Sequence, residues 1–172
     1  MARDEFVAEL GRLTEDVEWT EKAHFAASSH MMVVHYGLGA TATVSAAVAG
    51  ATVVAAVPIV AGIAAAVATV ASALLTFLKP EARAQHHLGS ARGLGRLKVQ
   101  LRQTRELDLA KGRPEDFDTW RAQVDRLANY KSEIDASAPA LGEWAFRTAR
   151  KKIEAGNFFH DGLDDPPPVS KA

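Results

Sequence analysis

Cysteine is missing from all 172 residues, which removes disulfides, thiolate metal sites and cysteine nucleophiles together. The redox compartment stays open. Asp, Glu, Lys and Arg are missing from residues 23–78, so no helix within that stretch has the charged face that a surface helix shows to water. Strand-like alternation is missing throughout. A secretory leader is not expected either, because Met1-Ala-Arg-Asp-Glu-Phe6 is acidic and the apolar run starts after about 30 polar residues. That run is therefore expected to remain in the mature chain. The formal net charge is only -1, which holds no excess that would draw nucleic acid.

The small total hides an asymmetry. Residues 1–35 carry Asp4, Glu5, Glu9, Glu15, Asp16, Glu18 and Glu21 against Arg3, Arg12 and Lys22. Residues 79–113 carry Lys79, Arg83, Arg92, Arg96, Lys98, Arg102, Arg105, Lys111 and Arg113 against Glu81, Glu106 and Asp108. An acidic segment and a basic one thus flank an uncharged centre.

Phe6, Leu10, Leu13 and Val17 recur at i, i+4, i+7 and i+11, which is one face of a helix. The uncharged stretch that follows exceeds the ~18 apolar residues of one membrane span and suffices for two of ~20. Proline is tolerated in the first helical turn, so Pro58 is read as a helix start. The expectation is one helix from about Met31 to Val54, a tight turn at 55–57 and a second helix from Pro58 to Leu78. The second would be about 31 Å long, against a hydrocarbon core of ~30 Å. An alanine-rich hairpin buried in a soluble bundle is the competing reading, although such a bundle needs solvated faces that these helices lack. The basic cluster from Lys79 would put both flanks in the cytoplasm by the positive-inside rule.

Beyond Leu78, Leu94, Leu97 and Leu101 carry the helical period onward, so the second helix is expected to continue to about Leu109 and to end at Lys111-Gly-Arg-Pro114. Phe117, Trp120, Val124, Leu127, Tyr130 and Ile134 form the cleanest amphipathic stripe, a candidate docking face for a partner. Ser137-Ala-Pro139 separates it from a last helix with Leu141, Ala145, Ala149 and Ile153 at spacing four. The fold class is all-α, a two-helix transmembrane hairpin with flanking cytoplasmic amphipathic helices. It divides into an amphipathic helix over 1–30, spans over 31–56 and 58–78, a helical pair over 115–157 and a disordered tail over 161–172.

The order of these features resembles the SLATT domain, the SMODS and SLOG associating two-transmembrane effector domain of bacterial conflict systems. Carrying the likeness are Trp19, Ala23 and His24 before the two uncharged spans. After them come Ala84-Gln-His-His87 with Ala91, Leu94 and Leu97, then Ala138-Pro139 and Trp144. It covers roughly residues 13–153 within a single domain over 1–160, and it departs at Leu94, where the family would carry an aromatic residue. The resemblance implies an effector in the bacterial inner membrane, with both termini cytoplasmic, which oligomerises and permeabilises the bilayer when a nucleotide-producing enzyme or a nucleotide-sensing protein signals infection.

Several residue sets admit two readings. Thr41, Ser45 and Thr52 on the first helix, with Thr69, Ser72 and Thr76 on the second, form polar stripes that either line a water path or bond to their own helices. Gly39, Thr43, Ala47 and Ala51, and again Gly62 with Ala66, make small-residue ridges that let helices approach closely, within the hairpin or between subunits. Lys79, Arg83, Arg92 and Arg96 are candidate contacts for lipid headgroups or a phosphate. Arg147, Arg150, Lys151 and Lys152 form a second basic group, read first as a solvated face. The histidines flanking the centre lack metal-ligand spacing. No nucleophile, base and orienting carboxylate fall into a recognisable arrangement, so neither enzymatic chemistry nor a cofactor is expected. A membrane-anchored scaffold that opens no path is the alternative to a permeabilising effector.

Overall fold

The computed structural model describes residues 3–109 and 116–155, and every regular element among them is helical. Helix α1, Arg3–Val54, runs for 52 residues. It joins the amphipathic segment and the first apolar stretch, which the sequence pattern separates near residue 30. The physical reason is local: residues 12–36 contain neither glycine nor proline, so nothing there interrupts the backbone ladder.

The end of α1 is a Schellman motif built without glycine. Val57 N–H donates to the Thr52 carbonyl at 2.9 Å and Ala56 N–H to the Val53 carbonyl at 3.1 Å. This is the 6→1 and 5→2 pair that satisfies the last carbonyls of a helix. Ala56 takes the left-handed position at φ 56. A β-carbon there costs about 1–2 kcal/mol. Helix α2, Pro58–Leu78, follows with its proline in the first turn.

Continuity from Pro58 to about Leu109 does not hold. Lys79 sits at φ 44, ψ 53, in the left-handed region, with its N–H on the Leu75 carbonyl, and α3, Pro80–Gln103, begins anew. Pro80 explains the break, since it has no N–H for the ladder and excludes the α conformation from the residue before it. The helix that follows ends in a π segment, Thr104–Asp108, where Gln123 Nε2 donates to Asp108 at 2.8 Å and to Thr104 Oγ1 at 3.3 Å. Helices α4, Phe117–Ser137, and α5, Glu143–Glu154, are the last elements among the described residues. The ending expected at 111–114 and the tail expected over 161–172 lie outside the described residues.

Two compact units result, one of Met1–Ala26 with Gly89–Ala172 and the other of Ala27–Leu88. In the first, Phe6, Leu10 and Val17 of α1 meet Leu94, Leu97 and Leu101 of α3 and Trp120, Val124 and Leu127 of α4. Leu10, Leu94, Leu97, Leu101 and Leu127 are fully buried, each stabilising by about 1.5–3 kcal/mol. Phe6, Phe117 and Trp120 pack as a trio with ring centroids 5.5 to 6.3 Å apart.

Polar contacts orient these helices. Lys98 Nζ lies 2.9 Å from Glu21, and Lys131 Nζ bridges Asp16 at 2.8 Å and Asp135 at 2.6 Å. Burial alone would lower the Lys131 pKa, but the hydrogen bonds it donates to Asp135 and Asp16 outweigh it and hold the ammonium above its ordinary value. Asp116 caps α4 by accepting from Thr119 N–H at 3.0 Å, which holds its carboxyl below the usual range. Helix α5 contributes buried Ala145 and Ala149, and its Arg150 guanidinium lies 6.0 Å from the Trp19 ring centre.

Candidate functional site

The apolar residues of the unit Ala27–Leu88 lie on two helices that leave most of their bulky side chains exposed. Two of the described helices are long and apolar enough to cross a bilayer, and their most apolar windows are 0% and 17% buried within the chain. The core helix of a soluble protein would be mostly buried. On α2 the buried positions are Ala61, Ala64 and Ala71, a strip of methyl groups at helical spacing. The bulky side chains point elsewhere: Ile59, Ile63, Val70 and Phe77 are 77%, 63%, 59% and 83% exposed. So large an apolar surface on a compact unit marks contact with lipid or with another protein.

The glycines of the small-residue ridges meet no neighbouring helix inside the chain. A β-carbon added at Gly39 or Gly62 would meet nothing within 4 Å, so neither glycine serves a close approach between α1 and α2.

The hydroxyl stripes are satisfied locally. Thr41 donates to the Gly37 carbonyl at 2.8 Å, Thr52 to Val48 at 2.8 Å, Thr69 to Ala65 at 2.8 Å and Thr76 to Ser72 at 3.0 Å. Each proton is thus held by its own helix, leaving the oxygen lone pairs outward. Thr41, Thr69, Ser72 and Thr76 are exposed, while Ser45 and Thr52 are half-buried. Thr41 lines an apolar groove with Leu38, Val67, Val70 and Leu74, and the α2 hydroxyl residues do not line it.

At the basic margin, Lys79 and Arg83 are exposed in the membrane-like unit, and Arg92 and Arg96 are exposed in the other. Among the described residues none of the four makes an ion pair. His35, one of the histidines singled out beside the uncharged spans, has its Nε2 3.9 Å from the Glu81 carboxylate and its ring edge-on to Tyr36. Pairing between α1 and the start of α3 depends on the Lys79 turn and has no sequence signal. His87 is buried; burial and then neighbouring His86 push its pKa below the ordinary value. Among the described residues no group of three His, Asp or Glu side chains is placed to hold a metal ion.

The stripe on α4 requires a correction. Trp120, Val124 and Leu127 lie in the core, Tyr130 and Ile134 pack against it, and Phe117 stacks on Phe6. Its apolar face is taken by α1 and α3 of the same chain, so it is not an open docking surface. An amphipathic pattern measures the need for burial and does not say which partner provides it.

No protein-family model matches the chain, and neither a curated protein nor a solved structure matches it.

Proposed function

We propose that this chain is a membrane effector of a bacterial conflict system, which assembles from several copies in the inner membrane and permeabilises it when a nucleotide signal or a signalling partner engages its cytoplasmic helices. The observation that carries the proposal is the uncharged pair α1–α2. Its bulky side chains face outward, and Gly39 and Gly62 meet nothing inside the chain. A bilayer satisfies the first feature and neighbouring copies the second. Lys79 and Arg83 then mark the cytoplasmic side and take anionic headgroups. The resemblance to the SLATT domain supports the same assignment.

In this mechanism Thr41, Ser45, Thr52, Thr69, Ser72 and Thr76 offer hydroxyl oxygens to a water path formed between copies. A signal opens the path only by binding the open assembly more tightly than the closed one. Dye release from liposomes holding the purified full-length chain tests the proposal, alone and with cyclic nucleotides. Release that Thr69→Leu with Thr76→Leu suppresses, at unchanged insertion, is the expected result. Inserted protein that never releases dye under any of these conditions would instead leave a membrane-anchored scaffold.

A further inference from the structure

Two exposed faces of the unit Met1–Ala26 with Gly89–Ala172 carry opposite charge and, among the described residues, no ion-pair partner. On α3, Arg92, Arg96 and Arg102 are exposed, with Val99 44% exposed between them. On α1, Asp4 and Glu15 are exposed, separated by exposed Ala8 and by Gly11, where an added β-carbon would meet nothing within 4 Å. Among the described residues these three arginines and two carboxylates make no ion pair, although nearby Glu9, Asp16, Lys98 and Arg105 all do.

The faces also match in length and relief. Asp4 to Glu15 spans about 16.5 Å along the helix axis and Arg92 to Arg102 about 15 Å. That difference is well within the reach of an arginine side chain. One face is raised by Val99 between its charges, and the other is lowered by Ala8 and Gly11. Both lie clear of the core formed by α1, α3 and α4.

We propose that the α3 face of one copy docks on the α1 face of the next, Arg92, Arg96 and Arg102 opposite Asp4 and Glu15. Such a head-to-tail contact joins two different surfaces, so repeated copies close into a ring when the rotation permits. This inference rests on the assembly proposed above and names the surfaces that build it. Each exposed ion pair adds little affinity by itself, but like charges set face to face repel strongly enough to block the register in which the apolar helices adhere. Assembly should accordingly weaken as salt rises.

Charge reversal on each face separately is the test, read as the mass of the full-length chain in detergent micelles by light scattering. Arg92→Glu with Arg96→Glu makes both faces acidic, and Asp4→Lys with Glu15→Lys makes both basic. Each variant alone should fall to the mass of a single chain, and mixing them should restore oligomers in which the two variants alternate, because an acidic face then always meets a basic one. Recovery on mixing also shows that both variants are folded. Arg121→Glu with Arg126→Glu, the same charge change on α4, should leave the mass unchanged. If wild type is oligomeric and the reversals stay oligomeric, these faces are refuted while the assembly survives. If wild type is a single chain, both fall. Loss of binding to anionic vesicles in the arginine variant, with mass unchanged, would assign the arginines to lipid and overturn the proposal.

Discussion

Gly93 and Gly95 sit two residues apart on α3, and the structure gives alanine at each a different fate. A β-carbon at Gly93 would lie 3.5 Å from Ile134 Cδ1, an ordinary contact. Gly93→Ala should therefore gain the helix-propensity difference of about 1 kcal/mol, plus up to about 0.8 kcal/mol for one more buried carbon. At Gly95 the same atom would lie 3.0 Å from Glu21 Oε1. That carboxylate is buried and held by Lys98 at 2.9 Å. It must shift, and loosening a buried charge-assisted bond offsets about 1 kcal/mol or more of the gain. Gly95→Ala should thus fall at least about 1 kcal/mol below Gly93→Ala, roughly 4 °C in melting midpoint. All three tryptophans, Trp19, Trp120 and Trp144, lie in the unit that contains both glycines, so tryptophan emission during thermal unfolding reads this unit selectively. Placing Gly95→Ala in a Glu21→Ala background should recover the missing increment, because the obstructing carboxylate is gone and half-exposed Lys98 is left to solvent. Equal gains at both glycines in the wild-type background would refute the packing of Glu21 against Gly95.

Ala56→Gly should stabilise the turn after α1 by about 1 kcal/mol, since it removes the β-carbon from a left-handed position; hydrogen exchange at Ala56 and Val57 checks it. Trp120→Ala should cost about 3–5 kcal/mol through loss of its contacts with Phe6 and Phe117, measured by denaturant unfolding followed by circular dichroism. Because the folded state holds the His87 pKa below the ordinary histidine value of 6.5, the unfolded chain binds more protons between those two values. Stability is then full above about 6.5 and declines as pH falls through the folded pKa. His87→Asn should flatten that part of the stability profile, and an unchanged slope would remove His87 from the account.

What was legible in the sequence follows the range of the forces involved. The absence of charge over 23–78, Pro58 at a helix start and the period of the Phe117 to Ile134 stripe are local signals, and the helices follow them. The break at Lys79 was legible too, through the rule for the residue before a proline, but the run Leu94, Leu97 and Leu101 suggested a continuous helix and obscured it. Ala56 carries no warning, because glycine is the usual mark of its position. The Glu21–Lys98 pair and the Lys131 bridge join residues far apart in the chain, where no spacing rule reaches. Among the candidate site residues, periodicity found the hydroxyl stripes but did not decide between a water path and bonds to their own helices, which Thr41, Thr52, Thr69 and Thr76 make. It found the α4 stripe but not that α1 and α3 cover it.

The cysteine-free chain allows the central claim, that α1 and α2 cross a bilayer, to be tested directly. Glu15→Cys and Ala56→Cys each introduce a single thiol, to be labelled in sealed vesicles of known sidedness with a maleimide that does not cross membranes. Labelling of the two positions from opposite sides is the expected result. Labelling of both from the same side, or extraction of the chain by carbonate without detergent, would contradict the claim.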